Sequence, residues 1–250
     1  MPDLLAQLLA FDGLGWLMGT VFIAGAVRGF TGFGAALVYM PVAGQLMPPI
    51  WALITLILME VIGPLPNIPA ALRVANRRDV GWLFTGAAFA LPLGLAVLYR
   101  IDPDLFRYGV CLFALTVPFV LASGVRFQSS GRKPILIGTG AVSGFAGGVT
   151  GVPGPPVILM LMASSAPAQV IRANVMVYLL LFDVSTIVLL GAQGVMSAMP
   201  VMLGLALIVP NLLGNLVGAA MFQPQYQSLY RGVGYGVTLL SGVAGLPLWD

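Results

Sequence analysis

The chain has 250 residues, 59% of them apolar and only 8% charged, with a net charge of +3 at neutral pH. A soluble domain carries about 25% charged residues, so this chain lacks the polar groups to cover a water-facing surface. Its mean hydropathy of +1.01 points to a polytopic membrane protein, and 32 glycines with 19 prolines to helices that are broken as well as packed. The absence of His excludes His-based catalysis, His proton shuttles and His-ligated metals. A single cysteine, Cys111, excludes an internal disulfide and a Cys-x-x-Cys pair. The only lysine, Lys133, has no Gly-rich phosphate loop before it, so no built-in ATP site is expected. The basic residues are too few and too dispersed for nucleic acid. No cofactor and no metal are expected.

In chain order, no basic residue precedes Arg28, so the first apolar stretch lacks the cationic start of a secretory signal and is expected to stay in the fold. Residues 14–46 are apolar but interrupted by Arg28-Gly29-Phe30-Thr31-Gly32-Phe33-Gly34. As one helix they would run about 50 Å, too long for a hydrocarbon layer of about 30 Å. Each arm alone, 14–27 or 33–46, would run about 21 Å. The region reads as two half-helices meeting at a Gly-rich tip inside the membrane, a re-entrant hairpin. One long tilted helix with flexible glycines is the alternative. Full spans are expected over 50–72, 80–99 and 105–124. The most polar loop, Phe127-Gln128-Ser129-Ser130-Gly131-Arg132-Lys133, follows. Residues 134–165, interrupted by Gly144 through Pro156, read as a second hairpin. Spans over 169–192, 199–221 and 229–248 complete the chain.

The distribution of Arg and Lys favours the hairpins. With both present, Arg73, Arg77, Arg78, Arg126, Arg132, Lys133, Arg172 and Arg231 share one side, against Arg100 and Arg107. With two full crossings instead, Arg172 and Arg231 change sides and the asymmetry nearly vanishes. Since basic loops stay in the cytoplasm, both termini are expected outside it, in a bacterial inner membrane.

The chain also repeats itself. Gly25-Ala26-Val27-Arg28-Gly29-Phe30-Thr31-Gly32 matches Gly140-Ala141-Val142-Ser143-Gly144-Phe145-Ala146-Gly147 at six of eight positions, 115 residues apart. Leu105-Phe106-Arg107 echoes Leu229-Tyr230-Arg231, and Pro92-Leu93-Gly94 loosely echoes Pro210 through Gly214. The expected architecture is therefore all-α with inverted repeats, residues 1–125 and 134–250, joined by a cytoplasmic linker at 126–133. Each repeat is a hairpin plus three spans, and three being odd, the second enters the membrane upside down. Inverted repeats with discontinuous helices are a recurring transporter architecture.

The candidate residues follow from that architecture. A half-helix starting at a Gly-rich tip aims its positive dipole end and free N–H groups at a solute. Two tips brought together by symmetry would offer two sets of donors to one anion: Gly29, Phe30, Thr31 and Gly32 from the first, Ser143, Gly144, Gly147, Gly148, Thr150 and Gly151 from the second. Close packing of helices through small residues is the competing reading of the same glycines. Arg28, an arginine in an apolar stretch, marks a pathway or a paired charge, and its planar fork suits an oxyanion; snorkelling or pairing with Glu60 are the alternatives. Glu60 and Asp183 are acids deep in expected helices. Either they pair, or they take up and release protons and couple transport to a proton gradient. Asn174 and Asn211 are placed along the pathway, Asn211 sharing a helix face with Asn215; interhelical glue is the competing reading.

With these residues assembled, the chain resembles the TauE/SafE family of sulfite and organosulfonate exporters. The likeness rests on the paired Gly-Phe-x-Gly motifs, Gly29-Phe30-Thr31-Gly32 and Gly144-Phe145-Ala146-Gly147, on Gly151-Val152-Pro153-Gly154-Pro155, and on Arg77-Arg78-Asp79-Val80-Gly81-Trp82. It implies an integral membrane transporter of small sulfur-containing anions and no enzymatic activity. The expected partners are that anion and membrane lipid, with a homo-oligomer a possible state. The rivals are a passive channel or permease for another small carboxylate or oxyanion, an intramembrane enzyme, and a subunit of a larger complex.

Overall fold

The computed structural model describes residues 2–31, 34–63, 65, 68–122, 132–164, 166–221 and 227–247. Among them every regular element is a helix: α1 (Pro2–Leu9), α2 (Leu14–Thr31), α3 (Ala35–Leu46), α4 (Pro49–Ile62), α5 (Ile68–Val74), α6 (Arg77–Leu98), α7 (Pro103–Ala122), α8 (Lys133–Thr150), α9 (Gly154–Met162), α10 (Ala168–Ala192), α11 (Ala198–Met221) and α12 (Gln227–Ala244). Four stretches are long and apolar enough to cross a bilayer: Arg77–Leu98, Pro103–Leu121, Gln169–Ala192 and Ala198–Met221. They fall on four of the expected spans, and α12 covers most of a fifth.

The expected span 50–72 is not one helix. α4 stops at Ile62 and α5 starts at Ile68. Pro64 and Pro66, outside the described residues, each lack an N–H donor, whereas Pro69 lies in the first turn of α5, where proline is tolerated.

Both interruptions exist and fall inside the Gly-rich stretches 28–34 and 144–156, after helix that continues into the first part of each. α2 continues through Arg28 and Gly29 to Thr31, and α3 follows Gly34, which has φ 95°. α8 continues through Gly144, Gly147 and Gly148 to Thr150 and stops at Gly151, with φ 73°. These two turns use the left-handed backbone that glycine alone adopts freely.

The chain packs into two compact units, Met1–Met59 with Asp102–Pro118 and Gly194–Asp250, and Glu60–Ile101 with Phe119–Gln193. In the first, α2 lies directly on α11. A Cβ added to Gly25 would fall 2.4 Å from the Asn211 carbonyl oxygen, and one on Gly29 2.3 Å from that of Asn215. From the other side, Gly214 and Gly218 meet the carbonyls of Phe22 and Ala26 at 2.0 and 2.1 Å. In the second unit α8 lies on α6 in the same manner. Gly140 meets the Leu83 oxygen at 1.9 Å, Gly144 that of Ala87 at 2.5 Å, and Gly148 that of Leu91 at 2.8 Å. Small residues at every fourth place let two backbones touch, the packing mode of membrane helices, with carbonyls against Cα hydrogens. Partner numbers rise together along both helices, so α2 runs parallel to α11 and α8 parallel to α6.

Each interrupted region returns to the level from which it set out. A Cβ on Gly13, just before α2, would meet Leu46 Cδ2 at 2.9 Å, so α3 ends level with the start of α2. In the second unit, Lys133 at the start of α8 stands 5.1 Å from the Trp82 ring centroid near the start of α6. Asn174, early in α10, accepts the Asn76 backbone N–H at 2.7 Å, and the Tyr99 hydroxyl donates to Gln193 Oε1 past the far ends of α6 and α10. Thus α6, α8 and α10 all start at one end of this unit, and residues 133–167 make no net passage along it. Arg77, Arg78, Arg132, Lys133 and Arg172 gather at that same end.

Candidate functional site

The second break is the best-defined polar element. Ser143, fully buried and two turns before the end of α8, donates its hydroxyl proton to the Pro153 carbonyl. The hydroxyl of Tyr178, fully buried on α10, donates to Ser143 Oγ at 2.6 Å. The chain therefore doubles back after Thr150, bringing Pro153 down beside Ser143. The turn satisfies itself: Gly151 N–H donates to the Gly147 carbonyl at 2.8 Å, and Val152 N–H to Thr150 Oγ1 at 3.3 Å. Gly147 must be glycine here, since a Cβ would lie 2.5 Å from Phe182 Cζ and 2.8 Å from Pro153 Cβ. Tyr178, Phe182 and Pro153 thus complete a brace that the sequence reading missed. Tyr178, a polar-tipped ring five residues before Asp183 in an apolar stretch, was the available signal.

The expected fan of amide donors is narrower than glycine content implies. Of Pro153, Gly154, Pro155 and Pro156, only Gly154 carries an N–H, so the start of α9 keeps one donor where a helix normally has four.

The other candidate residues separate by position. Gly29, Gly144 and Gly148 lie inside helices, in the seams with α11 and α6. Arg28 is half-buried in the last turn of α2, where a cation is favoured by the negative end of the helix dipole. Phe30 and Thr31 close α2, their side chains lying outside the described residues together with Gly32. Glu60 is buried near the end of α4, and Asp183 is buried in α10. Asn174 is buried, and its bond to Asn76 supports the start of α6, where the Asn76 side chain in turn accepts from the Arg78 and Asp79 amides. Asn211 is buried in α11, with its amide nitrogen unbonded. The structure thus groups Ser143, Gly147, Thr150 and Gly151 around one break, and sets Gly29 in the α2–α11 seam with Asn211 on the facing helix, while Arg28 lies in the last turn of α2. Among the described residues no group of three or more potential metal ligands occurs.

Among the described residues, regular structure that is helical throughout, four apolar helices of spanning length, buried acids and the breaks after α2 and α8 define an integral membrane protein of the polytopic helical class. The profile of the sulfite exporter TauE/SafE family matches residues 17–245, nearly the whole chain, and the protein belongs to that family of membrane transporters. Neither the curated proteins nor the solved structures contain a match.

Proposed function

We propose that the protein is a secondary transporter, working as an exporter, of a small sulfur-containing anion such as sulfite or an organosulfonate. The two helix breaks are the elements that handle the anion. The observation that carries this reading is the pair of interrupted helices, each turning at a left-handed glycine and each returning to its starting level. Backbone breaks at membrane depth persist only where protein or a water-filled path satisfies them.

The inverted-repeat reading, with repeats 1–125 and 134–250, is supported by the packing. Gly25 and Gly140, equivalent in the sequence repeat, meet Asn211 and Leu83; Gly29 and Gly144 meet Asn215 and Ala87. Both partner pairs are separated by 128 residues, so each first arm meets an equivalent place on a helix from the other half of the chain. That register sets the Pro92 and Pro210 echo aside, because these prolines are 118 residues apart. The basic residues at the common start of α6, α8 and α10 support a cytoplasmic placement of that end, in an inner membrane with both termini outside the cytoplasm.

Uptake into proteoliposomes of sulfite, methanesulfonate, sulfoacetate, thiosulfate and acetate tests the substrate class. Saturable flux of at least one sulfur anion, and little of acetate, is expected; Arg28→Ala should weaken apparent affinity about ten- to a hundredfold, the size of a lost charged hydrogen bond. Sulfur-anion flux equal to that of protein-free vesicles would refute the assignment. In proton coupling, Glu60 and Asp183 carry the proton, and Glu60→Gln or Asp183→Asn should flatten the pH dependence of flux. Unchanged pH profiles in both variants would leave a carrier without proton coupling.

A further inference from the structure

The end at which α6, α8 and α10 start carries more positive charge than the protein itself uses. α6 has 22 residues and measures about 33 Å, enough to cross a hydrocarbon layer of about 30 Å, so its start lies in a headgroup layer. Six cations stand at this end: Arg73 in the last turn of α5, Arg77 and Arg78 at the start of α6, Arg132 and Lys133 at the start of α8, and Arg172 early in α10. All six are exposed, and among the described residues none of them is ion-paired. Asp79 is the one acid in the first turns of α6, α8 and α10, and its carboxylate accepts from Asn76 Nδ2 at 2.8 Å.

Topology explains why positive charge is here but not how it is arranged. Arg77 turns back on the protein, its Nε and Nη2 donating to the Leu72 carbonyl at 3.4 and 3.3 Å. Lys133 instead holds its Nζ 5.1 Å from the Trp82 ring centroid, a cation–π contact between α8 and α6. Trp82 is half-buried, and tryptophan favours the boundary between headgroups and hydrocarbon. Arg78 lies one turn before Trp82 on the same face of α6. Phe89 and Leu93, seven and eleven residues after Trp82, continue that face and are 79% and 63% exposed. The neighbouring α8 exposes Val142 and Phe145. Cations thus head an apolar row that runs down into the bilayer, the two-part chemistry of a phospholipid.

We infer that α6 and α8 form a site for an anionic phospholipid of the surrounding leaflet. Arg78, Arg132 and Lys133 hold its phosphate, the guanidinium forks suiting a bidentate contact, and an acyl chain lies along Trp82, Phe89 and Leu93. Neither the transported solute nor the side of the membrane enters this inference, so it stands apart from the transporter reading.

The test titrates the full-length protein in detergent with dioleoyl phosphatidylglycerol, with phosphatidylcholine of the same chains, and with soluble glycerol phosphate. Native mass spectrometry reads the bound molecule, and the melting temperature reads its effect. Saturable binding of phosphatidylglycerol with a raised melting temperature is expected, and much weaker binding of the other two. Changing Arg78, Arg132 and Lys133 together to Gln should weaken phosphatidylglycerol binding about a hundredfold, whereas Arg100→Gln, at the far end of α6, should leave it unchanged. Because the three side chains are exposed, the triple variant should melt with the wild type in the absence of lipid. If it melts lower, Lys133→Gln alone carries the comparison, with severalfold weaker binding expected and undiminished binding overturning the site. Equal binding of the two lipids, undiminished binding by the triple variant, or an equal loss in Arg100→Gln would overturn it as well. Glycerol phosphate bound as tightly as phosphatidylglycerol would overturn the lipid assignment.

Discussion

Alanine at Gly140 is expected to unfold or severely destabilise the protein, although it adds a single methyl group. Its Cβ would lie 1.9 Å from the Leu83 oxygen and 2.8 Å from the Leu83 carbonyl carbon. Both are backbone atoms, so no side chain can swing away, and α6 and α8 must separate along a seam that also includes Gly86, Gly144 and Gly148. Overpacking a core costs about 1–3 kcal/mol where side chains can adjust; here the adjustment is a helix shift, and the upper end or beyond is expected. Gly25→Ala should do equal damage, since its Cβ would lie 2.4 Å from the Asn211 oxygen. Gly138, with nothing within 4 Å, should accept alanine without loss, because alanine is the better helix former. Melting temperatures and monodisperse yield in detergent compare the three. A Gly140→Ala protein as stable as Gly138→Ala would mean that the backbones do not touch.

The second large effect is expected at Ser143. Replacing it with alanine removes one hydroxyl but strands two partners, the Tyr178 hydroxyl and the Pro153 carbonyl, around a fully buried site. Each stranded group costs about 1–3 kcal/mol. Tyr178→Phe leaves the Ser143–Pro153 bond in place and should be clearly milder. In the Tyr178→Phe background the Ser143→Ala penalty should shrink, giving a coupling of about 0.5–3 kcal/mol. Since the brace positions the α8–α9 turn, transport should fall in Ser143→Ala beyond what the loss of folded protein explains. Additive effects of the two substitutions would mean that the serine and tyrosine do not act through one network.

Much of the fold could be read from apolar run lengths, because a bilayer fixes how long a spanning helix must be. The four long spans and the existence of both interruptions followed from that alone. That the first glycines of each stretch stay helical did not. Glycine disfavours helix in isolation, so Gly144-Phe145-Ala146-Gly147-Gly148 reads as a tip; in the protein it is helix, because those glycines are what lets α8 touch α6. Local propensity lost to a contact between residues some 57 positions apart. The split of 50–72 was foreseeable from Pro64 and Pro66, and the length of the apolar run outweighed it in error. Among the candidate residues, Arg28, Ser143, Asn174 and Asn211 stood out as polar groups in apolar stretches. Their different tasks did not, since Asn174 is bonded to Asn76 and Asn211 Nδ2 to nothing, a distinction only tertiary packing makes.

The central claim is that the helix break at α8–α9 lies on the path of the anion, and Gly154 allows the most direct test. It carries the one amide at the start of α9 and is half-buried; a Cβ there would meet only Ile158 Cδ1, at an ordinary 3.5 Å. With Cys111, the single native thiol, changed to alanine, Gly154→Cys is the only cysteine available to a membrane-impermeant maleimide. The predicted result is labelling from the aqueous phase that slows in the presence of sulfoacetate and not of acetate. No labelling from either side of the membrane, or labelling at a rate indifferent to sulfoacetate, would contradict the claim.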